Sequence, residues 1–210
     1  MANVYSGTEI PSDENVKTFW ENICSLPRDN NPSIDNDGDR DQPFNTLVKD
    51  PDIFYLSAQR EGTGQRKVKV PEGMKIFIPV LGVVATNFES QNSTVPQPDL
   101  RALAQLDQDS IRQLSVVFNG QEVPLAVLNN YRVTTNEFDV VFPDYPQAVF
   151  PGYGAPRESK AVADGRYLII EPLSKGKELI IHIKGNILVD PGERCLERGF
   201  NEDLTYTLIG

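Results

Sequence analysis

The stretch SVVFNGQEV, from Ser115 to Val123, gives the clearest indication of the fold class. The dipeptide Asn119-Gly120 lies between two runs of residues typical of β-strands. Asparagine and glycine both tolerate a positive φ angle, which the central residues of a tight hairpin turn require. The stretch therefore predicts a β-hairpin.

Similar strand-like segments lie on both sides of this hairpin. In Leu179 to Lys184, Leu179, Ile181 and Ile183 share one face, which we expect to be the core face. The glycine-containing run GTGQRK, Gly62 to Lys67, lacks the end of a phosphate-binding loop and is predicted to be a hairpin turn. The predicted strands are Ile53 to Ser57, Arg66 to Val70, Met74 to Val84, Tyr131 to Thr134, Glu137 to Phe142, Gly165 to Ile170, Leu179 to Lys184 and Leu204 to Ile209.

Helical patterns occur in only two places. Ser12 and Asp13 can cap a helix that ends before Pro27, and Asp99 to Leu106 can form a second short helix. The apolar face of the first helix consists of Val16, Phe19, Trp20 and Ile23.

Because a parallel α/β sheet needs a helix after nearly every strand, the pattern predicts an all-β domain instead. We expect residues 1–210 to form a single jelly-roll-like β-sandwich. Residues 1–52 would hold the helix and a long acidic loop, and residues 53–210 the sandwich core.

The composition excludes some classes of partner. The chain has 210 residues, with 20 Lys and Arg against 30 Asp and Glu, and a net charge of -10. This surface repels nucleic acid and suits cations. No apolar run approaches the roughly 18–20 residues that cross a bilayer, and MANVYSGTEIPSDENVK lacks the features of a signal peptide. We therefore expect a soluble chain without membrane insertion.

The acid-rich segment, Ser33 to Asp41, suggests a metal site. Calcium prefers six to eight oxygen ligands, supplied by alternating residues around a glycine. Counting Ser33 as position 1, Phe44 replaces the usual glutamate at position 12 and Ser33 replaces the usual aspartate. Magnesium is less suited to such a loop, and a solvated acidic turn is the alternative. The candidate calcium ligands are Ser33, Asp35, Asp37, Asp39 and Asp41, around Gly38.

Other chemistry has weaker support in the sequence. His182 is the only histidine, and neither Cys24 nor Cys195 has the spacing of a zinc site, so a packed or surface histidine is favoured. The two cysteines could form a bridge or remain free thiols. We find no nucleophile elbow, and a carboxylate-dependent hydrolase would need an acid pair that the sequence does not reveal.

Aromatic residues in the Pro/Gly-rich run DYPQAVFPGYGAP suggest an alternative function. Exposed rings at Tyr145, Phe150 and Tyr153 could stack on a glycan or contact a protein at the cell surface. Structural packing of these rings is the favoured interpretation.

Several segments resemble an uncharacterised, often secreted bacterial protein family. Val70 to Val80, VPEGMKIFIPV, is similar to the family's VPAGKALFFPI, and FNEDLTYTLIG is similar to its closing F..DVTYNLTV strand. The run from Ala161 to Gly185 is the most specific match, and Tyr131-Arg132-Val133 agrees in order and spacing. The resemblance implies an extracellular or periplasmic location but no activity.

The acid-rich segment departs from that family, which generally has threonine-glycine where this chain has Asp37-Gly38. Calcium binding is thus a hypothesis about this chain, not about the family. The sequence predicts a non-enzymatic calcium-binding β-sandwich in which the ion has a structural or sensory role. A carbohydrate- or cell-surface-binding module is the alternative.

Overall fold

The computed structural model describes residues 8–27, 37–39, 50–57, 62–86, 99–143, 158–187 and 200–210. The helices are α1 (Asp13–Ser25), α2 (Leu100–Asp109) and α3 (Leu125–Leu128), with a 3-10 turn at Asn129–Tyr131. The strands are β1 (Asp37–Asp39), β2 (Ile53–Tyr55), β3 (Gly62–Lys69), β4 (Lys75–Thr86), β5 (Ile111–Phe118), β6 (Gln121–Glu122), β7 (Arg132–Thr134), β8 (Phe138–Val141), β9 (Glu158–Ile170), β10 (Glu178–Ile187) and β11 (Phe200–Ile209).

The predicted hairpin is confirmed as the β5–β6 pair. Its turn residues have positive φ angles, 45° at Asn119 and 80° at Gly120. The Asn119 side chain accepts a hydrogen bond from the backbone N–H of Ile180 at 2.8 Å. This contact fixes the hairpin tip against β10.

The described strands form two sheets, which confirms the predicted sandwich. A six-stranded sheet has the order β1-β3-β11-β10-β5-β6, and a five-stranded sheet has the order β2-β4-β9-β7, with β8 also paired to β9. Most pairs are antiparallel, but β1–β3, β3–β11 and β2–β4 are parallel.

The main core lies between the two sheets. Along β10, Leu179, Ile181 and Ile183 are buried, whereas Ile180 and Lys184 are exposed, as the alternation predicts. The β4 and β9 strands contribute to the same core, and their central residues are almost fully buried. Burial of this apolar surface is the main source of stability.

Helix α1 covers the outer face of the five-stranded sheet. Ser12 caps it by accepting from the backbone N–H of Asn15, and its buried face includes Phe19 and Trp20. The indole of Trp20 donates to the hydroxyl of Tyr167 at 2.8 Å. The predicted first helix is thus confirmed.

Helix α2 packs on the inner face of the same sheet. Asp99 caps it, and Ala104 packs against Ala85 and Val162. At the end of the helix, Asp109 contacts Arg132 of β7 and Gln108 contacts Arg166 of β9.

Two parts of the structure differ from the sequence prediction. The run Gly62 to Lys67 is not a turn; it begins β3 and pairs with β11 and β1. The prediction was wrong because two glycines indicated a turn, whereas long-range pairing on both sides stabilises a strand. Within the predicted acidic loop, Asp37–Asp39 forms an additional strand for the same reason. No described helix is long and apolar enough to cross a membrane.

Candidate functional site

The acid-rich segment reaches the edge of the six-stranded sheet. In the parallel register, Asp37 lies opposite Gln65, Gly38 opposite Arg66 and Asp39 opposite Lys67. Ser33, Asp35 and Asp41 lie outside the described residues. Two of the five candidate ligand positions are therefore placed on β1, and the structure leaves the other three undescribed.

A buried polar cluster lies on the inner face of the neighbouring strands. Arg66 donates from Nη1 to the backbone oxygen of Ser57 at 2.9 Å and also to the Ser57 hydroxyl. The hydroxyl of Tyr206 donates to the same backbone oxygen. These contacts join β3 and β11 to the segment that follows β2.

Glu202 is an unusual member of this region because the residue is only 4% exposed, yet its Oε1 has no hydrogen-bond partner among the described residues. The register explains this. Glu202 lies opposite Gly185 on β10 and Gly62 on β3, so neither cross-strand position carries a side chain that could donate to it. Burial raises the pKa of Glu202 well above its usual value, and the charge of Arg66 lowers it only in part.

We predict that Glu202 makes stability fall as pH rises. Above about pH 4.5 the unfolded chain releases the Glu202 proton, whereas the folded chain, with its raised pKa, retains it. The wild type should therefore lose stability relative to Glu202→Gln by up to about 1.4 kcal/mol per pH unit, until the folded pKa is reached. Urea unfolding of both proteins between about pH 4.5 and 8 measures this difference.

Glu178→Gln is the control, because Glu178 is an exposed carboxylate on the adjacent strand β10. Its stability should follow the wild-type pH curve. If the free energy of unfolding changes with pH in the same way for the wild type and Glu202→Gln, the raised pKa does not belong to Glu202.

His182 lies on the outer face of the six-stranded sheet, as the interpretation of a surface histidine predicts. Its Nε2 is 2.7 Å from Oδ1 of Asp203, and the Lys184 ammonium is 3.4 Å from Oδ2. The hydrogen bond with His182 lowers the pKa of Asp203. Because the ammonium group contacts the other carboxylate oxygen, Asp203 belongs to a polar network on the surface of the sheet.

A second buried polar group, the arginine cluster, lies between β9, β7 and α2. We define it as Arg132, Asp164, Asp109, Arg166, Gln108 and Asn129. The Arg132 guanidinium donates to Asp164 from Nε at 3.0 Å and from Nη2 at 2.6 Å, and to exposed Asp109 from Nη1 at 2.6 Å. The hydrogen bonds with Asp164 raise the pKa of Arg132. Asp164 itself has no exposed surface.

Most of the remaining candidate residues lie outside the described part of the chain. Cys24 is buried on α1, but Cys195 lies outside the described residues, as do Tyr145, Phe150 and Tyr153. The side chains that the structure describes include no group of three or more His, Cys, Asp or Glu suited to a metal. The calcium and aromatic-loop hypotheses therefore remain predictions.

Sequence reasoning missed Glu202 and Arg166, although alternation could have found both. Glu202 is in phase with buried Leu204 and Tyr206, and Arg166 is in phase with buried Leu168. A charged residue at a core position of a strand is costly unless it is paired, which makes it a candidate for a specific role.

Comparison of the chain with family models, with curated proteins and with solved structures finds no match. A functional proposal for this chain therefore depends on its own residues.

Proposed function

We propose that this protein is a non-enzymatic calcium-binding β-sandwich, in which the acid-rich segment holds the ion. The observation that carries the proposal is the pairing of Asp37–Asp39 with β3. Asp37 and Asp39 occupy alternate positions of β1. The backbone pairing thus gives two proposed ligand positions a defined spacing.

Charge provides a physical reason for the ion. Four aspartates fall within the seven residues Asp35 to Asp41, and the whole chain has a net charge of -10. Mutual repulsion of clustered carboxylates is relieved when a divalent cation binds between them. Carboxylate oxygens are also the ligands that calcium prefers.

The ion would have a structural role at the edge of the six-stranded sheet. Because β1 is only three residues long, its backbone pairing with β3 provides few hydrogen bonds. Calcium that bridges Asp35, Asp37, Asp39 and Asp41 would hold the acid-rich segment on β3. A site of this kind suits an extracellular setting, where calcium is abundant, and this agrees with the location that the family resemblance implies.

Thermal unfolding of chelator-treated protein tests this proposal. Calcium at about 100 times its dissociation constant should stabilise the wild type by about 2.7 kcal/mol, equivalent to a Tm increase of about 5–10 °C. The double variant Asp35→Asn/Asp37→Asn should lose this increase, because it lacks two of the proposed ligands.

Glu72→Gln/Glu171→Gln is the matched control, since it removes the same charge from two exposed positions elsewhere in the chain. It should retain the full calcium response. If calcium shifts the Tm of all three proteins equally, the ion acts by screening the net charge and the proposed site is wrong.

A further inference from the structure

The two arginines of the arginine cluster have unequal partners. Arg132 and Arg166 lie opposite each other in the β7–β9 register. Arg132 has Asp164 and Asp109 as direct counter-ions. Arg166 is only 8% exposed, and none of the described carboxylates forms an ion pair with its guanidinium. Within the described residues, the buried charge of Arg166 therefore has no direct counter-ion, and Asp164 and Asp109 act on it only at longer range.

The hydrogen bonds of Arg166 show where a counter-ion would bind. Its Nε and Nη2 both donate to Oδ1 of Asn129, at 3.2 and 2.9 Å. This edge of a guanidinium is the one that binds a carboxylate or phosphate through two parallel hydrogen bonds. In Arg132 the same edge contacts the Asp164 carboxylate. In Arg166 it contacts one neutral amide oxygen.

Gln108 provides an additional donor beside Arg166. Its Oε1 accepts from Nη1 of Arg166 at 3.0 Å, while its Nε2 has no hydrogen-bond partner in the described part of the chain. The Gln108 side chain is only 1% exposed. A buried water could satisfy the amide, but it would leave the Arg166 charge without a counter-ion. An anion on the guanidinium would supply that counter-ion.

We propose that Arg166 and Gln108 form a binding site for a small oxyanion, a carboxylate or a phosphate group. The anion would displace the Asn129 amide from the Nε and Nη2 edge of Arg166. Asn129 is exposed, so rotation of its side chain opens a route from solvent to the guanidinium. This site is independent of calcium binding by the acid-rich segment, because it lies on the five-stranded sheet.

The Nε–H signal of Arg166 in 15N-resolved NMR tests the proposal directly. Arg166→Lys assigns the signal, and sodium acetate and sodium phosphate are titrated in separate experiments at constant ionic strength set with sodium chloride. We expect a saturable shift with one of the two anions, with a midpoint on the order of 1–10 mM. Saturation with acetate alone identifies a carboxylate site, and saturation with phosphate alone identifies a phosphate site.

Asn129→Ala separates a binding site from a purely structural contact. Removal of the competing amide should tighten binding by about tenfold, the order expected for one hydrogen bond to a charged group. Asn130→Ala is the control, because Asn130 is an exposed neighbour that makes no hydrogen bond to Arg166. Both changes are at exposed positions, so they test the site even if Arg166→Lys does not fold. The proposal would be overturned if the Arg166 signal shifts as much with chloride as with acetate or phosphate. It would also be overturned if, in Asn129→Ala, the signal saturates with neither acetate nor phosphate.

Discussion

Replacement of Gly165 by alanine is expected to destabilise the protein by about 3 kcal/mol. A Cβ atom at Gly165 would lie 2.6 Å from Cα of Gly82 and 2.8 Å from the backbone oxygen of Leu81. These are backbone atoms of the paired strand β4, so they cannot move without disturbing the β4–β9 pairing. Overpacking at a rigid position of this kind is relieved only by backbone displacement.

Glycine is required on both β4 and β9 at this point because the Tyr167 hydroxyl lies where a Cβ atom would be. Gly82 and Gly165 are register partners, and a Cβ at Gly82 would lie 2.4 Å from the hydroxyl oxygen of Tyr167. That hydroxyl accepts the hydrogen bond of the Trp20 indole. The glycine pair therefore permits the contact that joins α1 to the centre of the five-stranded sheet.

Urea unfolding of Gly165→Ala measures the effect, with Gly185→Ala as the control. A Cβ at Gly185 would lie 3.0 Å from Cδ2 of Leu81, the end of a flexible side chain, so a loss of about 1 kcal/mol is expected. If the two variants lose the same free energy of unfolding, the close approach of β4 and β9 is not the reason that Gly165→Ala is destabilising.

Replacement of Asp164 by asparagine is expected to cost about 3–5 kcal/mol. Asparagine has nearly the same shape, but it removes the negative charge from a side chain with no exposed surface. The Nε and Nη2 donors of Arg132 would then contact a neutral amide. Since Arg166 also lies in this cluster, the half-buried Arg132 and the buried Arg166 would keep the favourable charge of Asp109 but lose that of Asp164.

Asp109→Asn is the matched control, because Asp109 binds the same guanidinium at 2.6 Å from a side chain that is 62% exposed. Asp109→Asn should lower the free energy of unfolding by less than about 1 kcal/mol, as for other exposed ion pairs. Urea unfolding measures the free energy of unfolding of both variants. Equal losses would contradict the claim that the buried carboxylate matters more to stability than the exposed one. The double variant Asp164→Asn/Arg132→Gln should recover part of the loss, because it removes the cation that has lost its buried carboxylate partner.

Local patterns were sufficient to predict most of the fold. The alternation in Leu179 to Lys184 identified the core face of β10, and the Asn119-Gly120 turn identified the hairpin. Both signals lie within a few consecutive residues. The strand β3 was only partly recognised, because its N-terminal half contains Gly62 and Gly64 and is held by pairing with the distant strand β11.

The polar clusters were harder to predict because their members come from distant parts of the chain. Asp164 lies opposite Thr134 on β7, and this pairing brings Arg132 within hydrogen-bond distance of Asp164. The absence of a described hydrogen-bond partner for Oε1 of Glu202 depends on glycines in two neighbouring strands. No local pattern contains that information. The calcium hypothesis depends on local spacing, and the structure adds the position of Asp37–Asp39 at the sheet edge.

Calorimetric titration of calcium into chelator-treated protein tests the central claim most directly, with magnesium and zinc as controls. We predict a saturable heat with a stoichiometry near one calcium per chain, and a weaker response to magnesium, which prefers a tighter octahedral site. No saturable heat with calcium would contradict the claim and would make the acid-rich segment a solvated edge of the six-stranded sheet.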